Sequence, residues 1–88
     1  MIYYHIDNIQ ETRTLKSGSG QLVRLTVNRK GSSGSSLILY DGVNDTSPII
    51  ADIDTYKCDS YMEYDFGFQD GLTYKTSANP GDITVNYS

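Results

Sequence analysis

The amino-acid sequence predicts an all-β chain, folded as a small antiparallel β-sandwich or barrel of about six to eight strands. Three observations carry that prediction. Apolar residues alternate with polar ones over short runs, and no window repeats them at helical spacing. Clusters of Gly, Ser, Asn, Asp and Pro separate those runs at intervals of about 8–12 residues. Eight tyrosines and two phenylalanines, together with Val, Ile and Thr, suit a pleated surface.

Each element follows in order. Ile2, Tyr4 and Ile6 alternate with Tyr3, His5 and Asp7, so residues 1–16 read as an N-terminal extended arm or edge strand, with a second strand over Glu11–Lys16. Residues 17–88 then make one sandwich or barrel domain. After the Ser17–Gly20 break, Val23, Leu25 and Val27 line one face of a strand over Gln21–Asn28, with Arg24 and Thr26 on the other and Leu22 near its start. The stretch KGSSGSS at 30–36 could be a linker or a hairpin tip. Neither flanking strand can hide its apolar face without the other, so a mobile hairpin tip is expected, joined to a strand at Leu37–Tyr40. Asp41–Pro48 is turn material. Further strands follow at Ile49–Asp54, Ser60–Phe68, Leu72–Thr76 and Ile83–Tyr87. The predicted core is Leu22, Val23, Leu25, Val27, Leu37, Leu39, Ile49, Ala51, Ile53, Met62, Tyr64, Phe66, Leu72, Tyr74, Ile83 and Val85.

Bulk properties narrow the function. A chain of 88 residues buries only about 60–65% of its extended surface. Its single cysteine, Cys58, cannot staple it internally. Oligomerisation or docking is the expected source of extra stability. Eleven acids against seven bases give a net charge of −4, which repels a phosphate backbone, so no nucleic-acid partner is expected. The start lacks a basic n-region and an apolar h-region, so no signal peptide is expected. No apolar run reaches the roughly 20 residues a bilayer requires, so no membrane partner is expected either.

Catalytic constellations are missing. His5 is the only histidine and lies in the terminal segment, where a surface or interface role outweighs a catalytic one. Cys58, between Lys57 and Asp59, reads as a free thiol in a loop, since no second histidine can serve as its base. Asp41, Asn44 and Asp45, or Asp52, Asp54 and Asp59, have oxygens at calcium-like spacing, but no twelve-residue loop ending in a bidentate Glu is present. Their sequence context is that of turns. Glu63 and Asp65 share a predicted strand face, yet a glycosidase pair needs a cleft this chain can hardly enclose. No catalytic residue, cofactor or metal is therefore assigned. The expected interface is the arm, Ile2, Tyr3, Tyr4, His5 and Ile6, with Tyr40, Tyr56 and Tyr61, because such a core cannot take every tyrosine and exposed ones favour interfaces.

Five phrases in fixed order, GSGQLVRLTVN (18–28), SLILYDG (36–42), IIADIDT (49–55), YDFGFQDGLTYKT (64–76) and DITVNY (82–87), resemble a small β-domain of tailed-bacteriophage virion structural proteins. The segment MIYYHIDNIQETRTLK and the acidic EYDFGFQD depart from that pattern. The resemblance implies a non-enzymatic capsid decoration (cement) protein. It would bind the outer head surface as a homo-trimer, with the major capsid protein or other virion proteins as partners. It would be located on the virion capsid surface after assembly in the host cytoplasm. The segment Met1–Gln10 is expected to add a strand to a neighbour's sheet. A tail, adaptor or head-fibre-base component is the alternative within the virion. A carbohydrate-binding module for host attachment, stacking glycans on its tyrosines, is the alternative from another class.

Overall fold

The computed structural model describes residues 1–88. The chain forms eight strands: β1 (Ile2–Asp7), β2 (Thr12–Ser17), β3 (Gly20–Lys30), β4 (Ser36–Asp41), β5 (Ile49–Asp54), β6 (Tyr61–Phe68), β7 (Gly71–Thr76) and β8 (Gly81–Tyr87). They make two four-stranded sheets, ordered β1-β8-β3-β6 and β2-β7-β4-β5, with every pairing antiparallel. Only β4 and β5 are both consecutive and paired; every other connection crosses from one sheet to the other. That winding is the strand order of a jelly roll, a sandwich built from two Greek keys.

The winding corrects one expectation. KGSSGSS is not a hairpin tip: β3 pairs with β6 and β8, whereas β4 lies in the opposite sheet. The apolar faces of β3 and β4 do cover each other, but by stacking across the core rather than lying side by side. Alternation alone cannot distinguish the two arrangements. The crossover is stitched down. Gly31 N–H donates to the Thr55 carbonyl at 3.1 Å and Ser32 N–H to the Asn79 carbonyl at 3.0 Å. The Ser35 and Thr55 hydroxyls, both buried, lie 2.7 Å apart. Such backbone and hydroxyl partners satisfy groups that would otherwise be costly to bury.

The N-terminal segment is part of the sandwich. β1 pairs with this chain's own β8 from Ile2 opposite Tyr87 to Asp7 opposite Asp82, so it is the edge strand of one sheet while β2 is the edge of the other. Ile6, opposite Ile83, is fully buried. A strand that completes its own core in this way gains more than a free arm keeps. One edge of β1 remains unpaired.

The core is Ile6, Leu22, Leu25, Val27, Leu37, Leu39, Ala51, Ile53, Phe68, Leu72, Tyr74, Ile83, Val85 and Tyr87. Ile6, Phe68 and Tyr87 join the predicted set, Met62 and Tyr64 on the outermost strand β6 are only half-buried, and the other departures trace to irregularities within strands. Leu22 faces Tyr87 and Arg24 faces Asn86, so Val23 is the extra residue on β3. That reversal of phase places both Leu22 and Leu25 inside and leaves Val23 half-buried. On β5, Leu39 faces Ala51 and Tyr40 faces Ile49, so Ile50 is extra. Ile49 is thereby turned out to 59% exposure while Ile50 packs on the core. On β6, Asp65 takes a left-handed conformation (φ 49°), and neighbouring Phe66 is 43% exposed.

The side of the sandwich between β1 and β2 is closed by side chains. The Tyr4 and Tyr74 rings lie 5.9 Å apart, and the Arg13 guanidinium sits 5.5 Å over Tyr4. Tyr74 is fully buried and its hydroxyl donates to Glu11, which also pairs with Arg13 at 3.2 Å. The Tyr74 hydrogen bond holds the Glu11 carboxyl below its usual value; partial burial opposes this and Arg13 adds to it. The stability Glu11 contributes is therefore complete above its unfolded value of about 4.3 and is lost as pH falls below it. Burial, then Glu11, pushes the Tyr74 phenol up, so its contribution is complete below about pH 10 and is lost as pH rises above that. Glu11→Gln is expected to flatten the acid limb: its urea midpoint should fall less than the parent's between neutral pH and about pH 3.

Candidate functional site

The opposite side of the sandwich is built differently. β5 and β6 are the outermost strands of their sheets there, each paired on one edge only. A groove of about 410 Å³ runs between them, lined by Asp52, Ile53 and Asp54 of β5, Lys57, Cys58 and Asp59 of the connecting loop, and Met62 and Tyr64 of β6. Its apolar floor is the rim of the core: Met62, Tyr64 and Cys58 pack on the core cluster but stay half-buried. An edge strand has a neighbour on one side only, so its inward residues are covered less than those of a central strand. On β5, β6 and the loop between them four large apolar side chains are uncovered: Ile49 at 59%, Tyr56 at 47%, Tyr61 at 52% and Phe66 at 43% exposure.

Charge is concentrated on the same side. Residues 49–70 hold six carboxylates, Asp52, Asp54, Asp59, Glu63, Asp65 and Asp70, against the single cation Lys57, a net −5. The remainder of the chain carries five acids and six bases, a net +1. Several of these acids have local duties. Asp54 accepts from Tyr56 N–H at 3.0 Å and Lys57 N–H at 3.2 Å, forming the turn. Glu63 accepts from the Tyr61 hydroxyl at 2.7 Å, which raises the phenol's pKa, and lies 3.6 Å from Arg24. Asp65 accepts from Gln21. Glu63 and Asp65 thus have separate partners rather than forming an acid–base pair.

The sequence-predicted interface residues divide. Ile2, Tyr3, His5, Tyr56 and Tyr61 are exposed and Tyr4 is half-buried. Ile6 and Tyr40 are enclosed by their own chain and offer no surface; Tyr40 is only 5% exposed. Beside Tyr40 the β4–β5 loop folds back. Thr73, its cross-strand partner, donates to the Gly42 carbonyl at 2.8 Å, and Thr14 donates to the Val43 carbonyl at 3.0 Å. Sequence reasoning missed Ile49 and Phe66 as surface residues because their exposure follows from a bulge and a left-handed kink. Neither leaves a mark in the alternation itself.

The titratable residues are dispersed. His5 lies on β1 with Nε2 3.7 Å from Asp82, and Cys58 lies beyond β5 on the far lateral side. Burial pushes the Cys58 thiol up, which makes it a poor nucleophile at neutral pH. Asp41 accepts from Gln69 N–H at 3.0 Å and Asp70 N–H at 2.9 Å, and Asn44 caps Thr46 and Ser47. No group of three or more His, Cys, Asp and Glu side chains is arranged to hold a metal ion. A second, wholly polar cavity of about 290 Å³ lies at one end of the sandwich, lined by Asn8, Arg29, Lys30, Gly31, Ser32 and Asn79. Compared with known proteins, the chain matches no family model, no curated protein and no solved structure.

Proposed function

We propose that the chain is a non-enzymatic virion structural protein, a capsid decoration protein that docks on the outer head surface and on copies of itself, as a homo-trimer. The carrying observation is the set of large apolar side chains left uncovered on the outer strands: Ile49, Tyr61 and Phe66 on β5 and β6, and Ile2 and Tyr3 on β1. Covering such half-exposed side chains is worth about 1 kcal/mol each, so a few of them across each subunit contact would reinforce a shell. The jelly-roll strand order supports the reading by analogy, because viral capsid domains use it. So does the phrase order that resembles virion β-domains.

Mass spectrometry and cryo-electron microscopy of purified virus particles from the source of the sequence test the proposal. The expected result is the chain on the outer head surface at a copy number comparable with the major capsid protein's. Low copy number at the tail would replace decoration by the tail or head-fibre-base reading. Absence from particles would sink the virion assignment. Glycan binding lost on replacing Tyr56 and Tyr61 would transfer the face to carbohydrate recognition.

A further inference from the structure

We infer that the β5–β6 side receives an extended, basic segment of a different protein, laid along the free edge of β6. The inference rests on the docking reading above and specifies its face and the chemistry of its partner. β6 is an eight-residue strand with one edge unpaired, and its backbone groups on that edge can accept an added strand. The adjoining groove has Ile53, Met62 and Tyr64 in its lining, and Tyr61 and Phe66 stand exposed on the strand itself. Those side chains would receive the alternate apolar residues of an added strand.

Charge selects the occupant. With residues 49–70 carrying a net −5, β6 of a second copy would bring Glu63 and Asp65 against their like, and like charges across a strand pair destabilise it. The free edge of β1 in a second copy is no better suited: its sequence, IYYHID, contains no lysine or arginine. A segment alternating basic and apolar residues satisfies both features, with cations near Asp52 and Asp59 and apolar side chains toward Met62 and Tyr64. Asp52 and Asp59 suit a test because neither takes part in any side-chain hydrogen bond or ion pair that shapes the β5–β6 turn, unlike Asp54.

The test measures fluorescence anisotropy of a labelled synthetic peptide of about eight alternating lysine and valine residues, matched to the length of β6. The expected result is salt-sensitive binding, weakened about fivefold by Asp52→Asn combined with Asp59→Asn and unchanged by Asp7→Asn on the far edge. It should be lost when alternate peptide amides are N-methylated. Absence of binding, equal binding of a glutamate–valine peptide, indifference to the paired substitutions or indifference to N-methylation would each overturn the inference. A negative peptide result from a chain that still co-purifies with particles would remove this inference alone. Absence from particles would remove the virion reading whatever the peptide does.

Discussion

Gly81→Ala is expected to cost about 2–5 kcal/mol and to leave little folded protein at room temperature. Gly81 opens β8 with φ +90°, a conformation that L side chains rarely adopt. A methyl there would be driven into the Arg29 carbonyl oxygen and would lie 2.7 Å from the Gly31 nitrogen, with backbone on every near contact and no flexible side chain to yield. The position also joins three strands. Gly81 N–H donates to Asn8 Oδ1 at 3.0 Å, and Asn8 N–H returns a bond to the Gly81 carbonyl at 2.9 Å. Gly34→Ala is the internal comparison, since Gly34 has φ +84° with nothing near its missing Cβ. It should cost only the conformational strain, about 1 kcal/mol. Circular dichroism melts of the two variants separate close backbone approach from backbone conformation.

Tyr74→Ala is expected to cost about 3–5 kcal/mol, against about 1.5–3 kcal/mol for Tyr74→Phe. The larger substitution removes a fully buried ring that packs beside Tyr4 and opens a cavity where β7 meets the β1 edge. The smaller one keeps the ring and deletes only the hydroxyl's bond to Glu11. Arg13 still pairs with that carboxylate, which places the Phe variant toward the lower end of its range. Urea midpoints measure both. Combining Tyr74→Phe with Glu11→Gln should cost less than the two single changes together, because the first removes the hydrogen bond that the second weakens.

All eight strands were legible from alternation and turn residues, because a half-buried antiparallel strand imprints its two faces on the sequence. Which strands pair was not. Residues 21–28 and 37–40 carry the same pattern whether they lie side by side or stack across a core, and only the distant β8 and β6 settle the matter by occupying both edges of β3. Extra residues were equally silent. Val23 and Ile50 look like ordinary members of an alternation, yet each shifts the phase around it and exchanges inside for outside. The candidate face was half visible. The excess of tyrosine and the acidic run 63–70 were plain, but nothing marked Tyr40 as buried or Ile49 and Phe66 as exposed. Its position opposite the sealed Tyr4–Arg13–Tyr74 side depends wholly on topology.

Cys58 provides the most direct test of the claim that the β5–β6 side is covered by another polypeptide. It is the only thiol in the chain and lines the groove, and alkylation rate follows thiolate content and access. The rate of iodoacetamide modification should be compared, at one pH, for the isolated chain and for the chain within its native assembly. The account predicts that assembly slows modification about tenfold or more. Equal rates in the two states would contradict it.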